Sequence, residues 1–96
     1  MANNTNANPM YCDTAAALKT SDVWIKAIYW GSDQTSGKDI AADDDVLISD
    51  AAGNRIWGKR ASFAGDGDFI PFPDGHLAGG VTVTTLDGGV LYIFTK

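Results

Sequence analysis

The chain has 96 residues, of which 45% are hydrophobic, and a formal net charge of −5. This length corresponds to one small domain with a modest core, and the hydrophobic content is too high for a disordered chain. The seven basic residues are scattered along the sequence. Because a nucleic-acid-binding protein needs a clustered basic face, DNA and RNA are not expected as direct partners.

The acidic residues and glycines favour strands and turns over helices. All twelve acidic residues are Asp, which favours caps and turns, and there are 11 Gly. Cys12 is the only cysteine, so no intramolecular disulfide can form. The first residues lack the features of a signal peptide, and no apolar run is long enough to span a membrane. We therefore expect a protein made in, and acting from, the cytoplasm of its host cell, with no membrane partner.

The N-terminal segment is polar and rich in asparagine. Residues 1–8 have nothing to bury, so we predict a flexible arm up to Pro9, followed by a single β-sandwich domain over residues 9–96. A short first strand is predicted at Met10–Cys12. Residues 14–21 fit a helical turn, a loop or an edge strand, because eight residues without a second apolar stripe make a poor helix.

The segment 23–30 gives the clearest strand signal, since it is β-branched and aromatic and ends at Gly31. Strict alternation places its side chains on two faces, one with Val23, Ile25, Ala27 and Tyr29 and the other with Trp24, Lys26, Ile28 and Trp30. Both faces are largely apolar. A central strand covered on both sides is therefore predicted, and a partner could provide the second cover.

The remaining strands are short and separated by turns. A polar loop is predicted at 31–44 and a second loop at 74–80, with strands at 46–48, 55–63, 69–73, 81–86 and 90–94. Turns at 51–54 and 87–89 predict two hairpins, and two prolines place the segment 69–73 at a sheet edge. The total of six to eight short strands predicts an all-β fold, either an antiparallel β-sandwich or a jelly roll.

No residue set in the sequence satisfies the geometric roles of catalysis. The acidic group at 43–45 fits a turn better than a calcium loop, because no Glu is available to close such a loop. Asp66 and Asp68 also fit a turn better, because two nearby carboxylates without a defined third ligand are weak evidence for a metal site. His76 has no nucleophile or orienting acid to complete a triad, and Cys12 lies in an apolar strand. We therefore predict a non-enzymatic protein without a metal site or cofactor.

Three segments carry a resemblance to a known kind of protein: WIKAIYW at 24–30, DAAGNRIW at 50–57 and VTTLDGGVLYIF at 83–94. In this order, and over residues 10–96, the chain resembles small phage-encoded β-sandwich or jelly-roll decoration (cement) proteins. Such proteins lie on the outside of phage heads and reinforce the capsid lattice. The resemblance implies a virion structural protein that bridges subunits of the major capsid protein, as a homo-oligomer or through contacts with lattice neighbours.

The arm and the aromatic side chains are the expected contacts with the capsid. The predicted contact residues are Ala2, Asn3, Asn4, Thr5, Asn6, Trp30 and Trp57. The arm is expected to become ordered on binding, and its removal is expected to weaken binding without lowering the stability of the domain.

An alternative function is a carbohydrate-binding or adhesin module of a phage tail or fibre, in which an exposed Trp30 or Trp57 stacks on a glycan. An enzyme or enzyme subunit is the least supported hypothesis, since the sequence offers no catalytic constellation.

Overall fold

The computed structural model describes residues 3–32 and 38–96. These residues contain no helix and eight strands: β1 Met10–Cys12, β2 Ala17–Lys19, β3 Val23–Gly31, β4 Asp45–Ser49, β5 Arg55–Arg60, β6 Asp68–Ala78, β7 Val81–Leu86 and β8 Val90–Thr95. The all-β prediction is confirmed. Part of the polar loop predicted at 31–44 lies outside the described residues.

The described strands form two antiparallel sheets of four strands each. Sheet A has the order β1-β8-β3-β6 and sheet B the order β2-β7-β4-β5. The first strand thus pairs with the last, the second with the seventh, the third with the sixth and the fourth with the fifth. This nested pairing is that of an eight-stranded jelly roll, one of the two architectures predicted from the sequence.

Two segments that the sequence left open or assigned to loops are edge strands. Residues 14–21 contain the short strand β2, which forms one edge of sheet B. The segment 69–73 lies at the edge of sheet A, as its prolines predict, but β6 continues to Ala78 through most of the predicted loop. The loop prediction at 74–80 was therefore wrong, because turn-forming residues such as Gly75 are accommodated within the strand by an irregular register.

The predicted hairpin between the last two strands is also wrong. β7 belongs to sheet B and β8 to sheet A, so the turn at 87–89 carries the chain from one sheet to the other. The carbonyl oxygen of Gly88 accepts a hydrogen bond from the indole N–H of Trp30, at 3.0 Å, which fixes this turn against the core. The hairpin predicted around 51–54, between β4 and β5, is confirmed.

A β-bulge in β3 changes which of its side chains face the core. In the pairing with β8, Ile25 lies opposite Thr95 and Ala27 opposite Phe94, so Lys26 is an extra residue that interrupts the alternation. The pairing with β6 shifts at the same place, where residues 72–75 of β6 are the excess. Ile25 before the bulge and Trp30 after it are both fully buried. Trp24 and Tyr29, which strict alternation separates, are consequently both exposed on the outer face of sheet A.

The hydrophobic core lies between the two sheets. Its largest fully buried side chains come from both sheets and from the loop before β4: Met10, Ile25, Ile28, Trp30, Val90, Leu91 and Ile93 from sheet A, Val46, Ile48, Val81 and Val83 from sheet B, and Ile40. Cys12 is buried as predicted, and this burial raises the pKa of its thiol. The part of the chain that the structure describes has no helix with the length and apolar character needed to cross a membrane.

Candidate functional site

The outer face of sheet A carries most of the exposed apolar surface. Among the described residues, five large hydrophobic side chains are exposed, and four of them lie on β3 and β6. Trp24 lies opposite Leu77 and Tyr29 lies opposite Phe69, so the four form two cross-strand pairs on one face. The fifth, Phe63, lies in the loop between β5 and β6. The exposed apolar surface is therefore concentrated on one side of the sandwich.

Strands β8 and β1 extend this surface into a row of rings. Tyr92 contacts Tyr11 and Tyr29, with ring centroids 5.4 and 6.1 Å apart, and Phe94 contacts Phe69 at 6.4 Å. Such offset and edge-to-face arrangements are favourable geometries for aromatic pairs. We call this surface the aromatic face, and it consists of Trp24, Tyr29, Phe69, Leu77, Tyr92 and Phe94, whereas Tyr11 is itself buried.

A groove of about 530 Å³ crosses the aromatic face near the register shift of β3 and β6. Most of its lining is apolar, from Phe69, Pro71, Pro73 and Phe94 among others. Lys26, the extra residue of the bulge, is the only charged residue of the lining within the described chain. The groove is thus suited to an apolar side chain that lies close to a carboxylate.

Two glycines allow rings of the aromatic face to lie directly on the backbone. A Cβ atom at Gly31 would overlap the ring of Tyr29, and a Cβ atom at Gly75 would overlap the ring of Trp24. Gly75 also has a φ of +78°, which favours glycine. Because both rings are packed in this way, they lose little further conformational freedom when a partner covers them.

The outer face of sheet B has a different composition. Thr82, Thr84 and Thr85 project from β7, and Asp45 forms a two-bond ion pair with Arg60, at 2.8 and 3.1 Å. The hydrogen bond from the Arg60 guanidinium lowers the pKa of the Asp45 carboxyl, and the same bond raises the pKa of Arg60. This face therefore presents hydroxyls and paired charges rather than apolar rings.

The described part of the predicted arm is hydrogen-bonded to the domain. The Asn3 side chain accepts bonds from the N–H groups of Asp13 and Thr14, at 2.8 and 3.2 Å. Asn4 forms two backbone hydrogen bonds with Tyr11, at 2.8 and 2.9 Å. Asn8 exchanges two hydrogen bonds with the backbone of Thr95, also at 2.8 and 2.9 Å.

These bonds bear on two expectations about the arm. The first expectation, that residues 1–8 are flexible, concerns motion, which hydrogen bonds in one structure do not test, so it stays a prediction. The expectation that the arm can be removed without loss of stability is revised, because its removal would break the bonds made by Asn3, Asn4 and Asn8. Of the other predicted contact residues, Thr5 and Asn6 line a polar pocket, and Ala2 lies outside the described residues.

The two tryptophans predicted as surface contacts belong to the interior. Trp30 has no exposed surface, so a partner cannot reach it without opening the core. Trp57 is half-buried and packs edge-on against Trp30, with ring centroids 6.4 Å apart. The sequence did not predict that the rings of Trp24 and Tyr29 are both exposed, because this depends on the bulge between them. The only local sign of the bulge is a lysine between two apolar positions.

The acidic clusters serve turns. The Asp66 carboxylate accepts a hydrogen bond from the backbone N–H of Ser62, at 2.8 Å, and pairs with Lys59 at 3.1 Å, and the first of these bonds lowers the pKa of Asp66 most. Asp44 accepts the N–H of Ala41 at 2.8 Å. Within the described ranges, no group of three or more His, Cys, Asp or Glu side chains is arranged to hold a metal ion.

Comparison of this chain with known protein families, with curated proteins and with solved structures finds no match. The resemblance to decoration proteins therefore rests on the three quoted sequence segments alone. The aromatic face is the structural feature that bears most directly on function.

Proposed function

We propose that this protein is a non-enzymatic virion structural protein that docks on the major capsid protein through the aromatic face and so decorates and stabilises the capsid. One observation carries the proposal: four of the five exposed large hydrophobic side chains of the described residues lie on this face. Contiguous exposed apolar patches on soluble proteins mark interaction sites. Aromatic anchors also supply a large share of the binding energy in protein interfaces.

The fold supports the same proposal by analogy. Jelly rolls occur in viral capsid proteins as well as in lectins and cupins, so the fold admits the function without establishing it. The resemblance of the segments 24–30, 50–57 and 83–94 to decoration proteins favours the capsid among these alternatives. Binding to the capsid would also stabilise the small domain by mass action, since only the folded state presents the aromatic face.

Bridging of two capsid subunits requires contacts at separate places, and sheet A offers them. The arm is bonded to β1 at one edge of the sheet, and the groove runs from Asn8, at the end of the arm, to Pro71 and Pro73 of β6 at the other edge. One capsid subunit could therefore bind at the arm while a second places an apolar side chain and a carboxylate in the groove beside Lys26. Each copy would then link two neighbours of the lattice.

The experiment that tests this function is the copy number of the protein in purified virions. Quantitative mass spectrometry would compare it with the major capsid protein of the same particles. A ratio near the stoichiometry of the lattice is the expected result. A handful of copies per particle would contradict decoration and favour the tail or fibre adhesin, and absence from the particle would contradict both.

A further inference from the structure

A second concave site lies at the end of the sandwich where the arm, the turn between β2 and β3 and the end of β8 meet. Its volume is about 500 Å³, which is within the usual range of ligand pockets, about 300 to 1,000 Å³. Unlike the groove on the aromatic face, this pocket is mainly polar. The lining residues that matter here are Asn6, Lys19, Ser21, Asp22, Trp24 and Lys96.

Several of these side chains have unused hydrogen-bonding capacity. Within the described residues, the side chains of Asn6, Lys19, Ser21 and Asp22 make no hydrogen bond or ion pair with the protein. Together they offer an ammonium, a hydroxyl, a carboxylate and an amide, so donors and acceptors face the same space. A ligand that presents both donors and acceptors, as a set of hydroxyl groups does, could bond to all of them.

Trp24 supplies the apolar part of the pocket. Its side chain is partly exposed, and its ring is held against the backbone of Gly75, where no side chain competes for the position. The ammonium of Lys96 lies over this ring, 5.3 Å from its centroid, in a cation–π contact, and is a donor for a hydroxyl of a sugar that takes its place on the ring. A fixed aromatic ring bordered by hydrogen-bonding groups matches a sugar, which has an apolar face of C–H groups and a rim of hydroxyls.

We propose that this pocket binds a glycan, with a sugar ring against Trp24 and its hydroxyls bonded to Asn6, Ser21 and Asp22. The polar lining disfavours an apolar ligand of this size. A purely apolar ligand would leave the polar lining unpaired. This proposal does not depend on the capsid function, but the pocket shares Trp24 with the aromatic face and Asn6 with the arm, so a bound glycan and a docked capsid subunit would compete for these two residues.

The test combines a printed glycan array with nuclear magnetic resonance on the full chain. The labelled protein is applied to the array, and each bound glycan is titrated into the ¹⁵N-labelled protein while the indole N–H signal of Trp24 is followed. The expected result is a glycan that shifts this signal and whose affinity falls at least tenfold in Asp22→Ala and in Asn6→Ala. Both variants should melt at the wild-type temperature, since neither side chain has a partner in the protein.

Two control variants locate the site. Thr84→Ala, on the outer face of sheet B, and Phe69→Ser, on the aromatic face away from this pocket, should bind the glycan as the wild type does. The proposal is overturned if no glycan on the array binds above background, or if Asp22→Ala and Asn6→Ala bind as tightly as the wild type. It is also overturned if Phe69→Ser alone abolishes binding, because the sugar would then lie on the aromatic face.

Discussion

Sheet A and sheet B enclose one hydrophobic core, yet they expose different chemistry to solvent. Sheet A exposes Trp24, Tyr29 and Phe69, whereas sheet B exposes threonines and the ion pair between Asp45 and Arg60. A sandwich needs apolar side chains only on its two inner faces, and an antiparallel sheet usually has a polar outer face. Sheet B follows this rule. The aromatic outer face of sheet A is therefore not required by folding. These exposed apolar side chains are the reason to propose a binding partner.

The difference between the outer faces arises partly from two bulges. In β3 the register shift at Lys26 brings Trp24 and Tyr29 to the outside of sheet A. In β7 a shift in the pairing with β4 leaves Thr84 as the extra residue, exposed on the outside of sheet B. A β-bulge thus exposes aromatic rings on the outer face of sheet A and a hydroxyl on the outer face of sheet B. Bulges that redirect side chains are common next to functional sites.

The largest effect is expected at Trp30, on the inner side of β3. Trp30→Ala removes a fully buried side chain and its hydrogen bond to Gly88, so it should lower the free energy of unfolding by about 3 to 5 kcal/mol. Trp24→Ala, on the outer side of the same strand, is the matched control and should cost at most about a third of that loss, since the ring is partly exposed. Chemical denaturation measures both. Equal losses of stability would show that the outer face of sheet A is part of the structural core.

The second prediction concerns Phe69, on the aromatic face. Phe69→Ser should weaken binding to particles that lack the protein by about 30-fold, the effect of losing an aromatic anchor worth about 2 kcal/mol. Phe63 is equally apolar and exposed but lies off the face, so Phe63→Ser should bind like the wild type. Cosedimentation with purified particles measures both affinities. If the two variants lost the same affinity, general exposed hydrophobicity rather than this face would explain binding.

A smaller effect is expected from the arm. Asn3→Ala removes the acceptor of the N–H groups of Asp13 and Thr14 and should lower the free energy of unfolding by about 1 to 2 kcal/mol. Asn6→Ala, in the same arm, should leave stability unchanged because its side chain has no partner within the described residues. Thermal unfolding compares the two variants. A melting temperature unchanged by Asn3→Ala would restore the expectation that the arm does not contribute to the stability of the domain.

The smallest effect is expected on the outer face of sheet B, through the Asp45 carboxyl. Because Arg60 lowers its pKa in the folded state, the unfolded chain takes up a proton first as the pH falls. The stabilisation is therefore complete above the ordinary Asp value, about 3.9, and is lost as the pH falls further, through the lower folded value. Asp45→Asn should make the melting temperature less dependent on pH below about 4, whereas Thr84→Ala should not change this dependence. An unchanged pH dependence in Asp45→Asn would show that the ion pair does not stabilise the fold.

The sequence predicted the strands well because each is marked by local features. The β-branched segment 23–30, the turn at 51–54 and the alternation at 81–86 all became strands or turns close to the predicted positions. The pairing of the last two strands was not predictable in the same way. A turn such as 87–89 with alternating flanks fits both a hairpin and a connection between sheets, and the choice depends on the distant contact between Gly88 and Trp30.

The candidate site was predicted less well, because the bulge at Lys26 was not anticipated. Without the bulge at Lys26, Trp30 would face away from Ile25 and would be available to a partner, as the sequence suggested. With the bulge, Trp30 is buried and Trp24 and Tyr29 are exposed. Because side chains alternate with a period of two, one inserted residue exchanges the faces of everything beyond it. The position of such an insertion depends on pairing with β6 and β8 and is not marked in the sequence.

The central claim is that the aromatic face is covered when the protein is on the virion. Hydroxyl-radical footprinting of the free protein and of intact virions, read by mass spectrometry, tests it most directly without any substitution. The predicted result is that oxidation of Tyr29, Phe69 and Leu77 falls on the particle while oxidation of Phe63, which is exposed but off the face, is unchanged. Protection of Phe63 with continued oxidation of Tyr29, Phe69 and Leu77 would contradict the account.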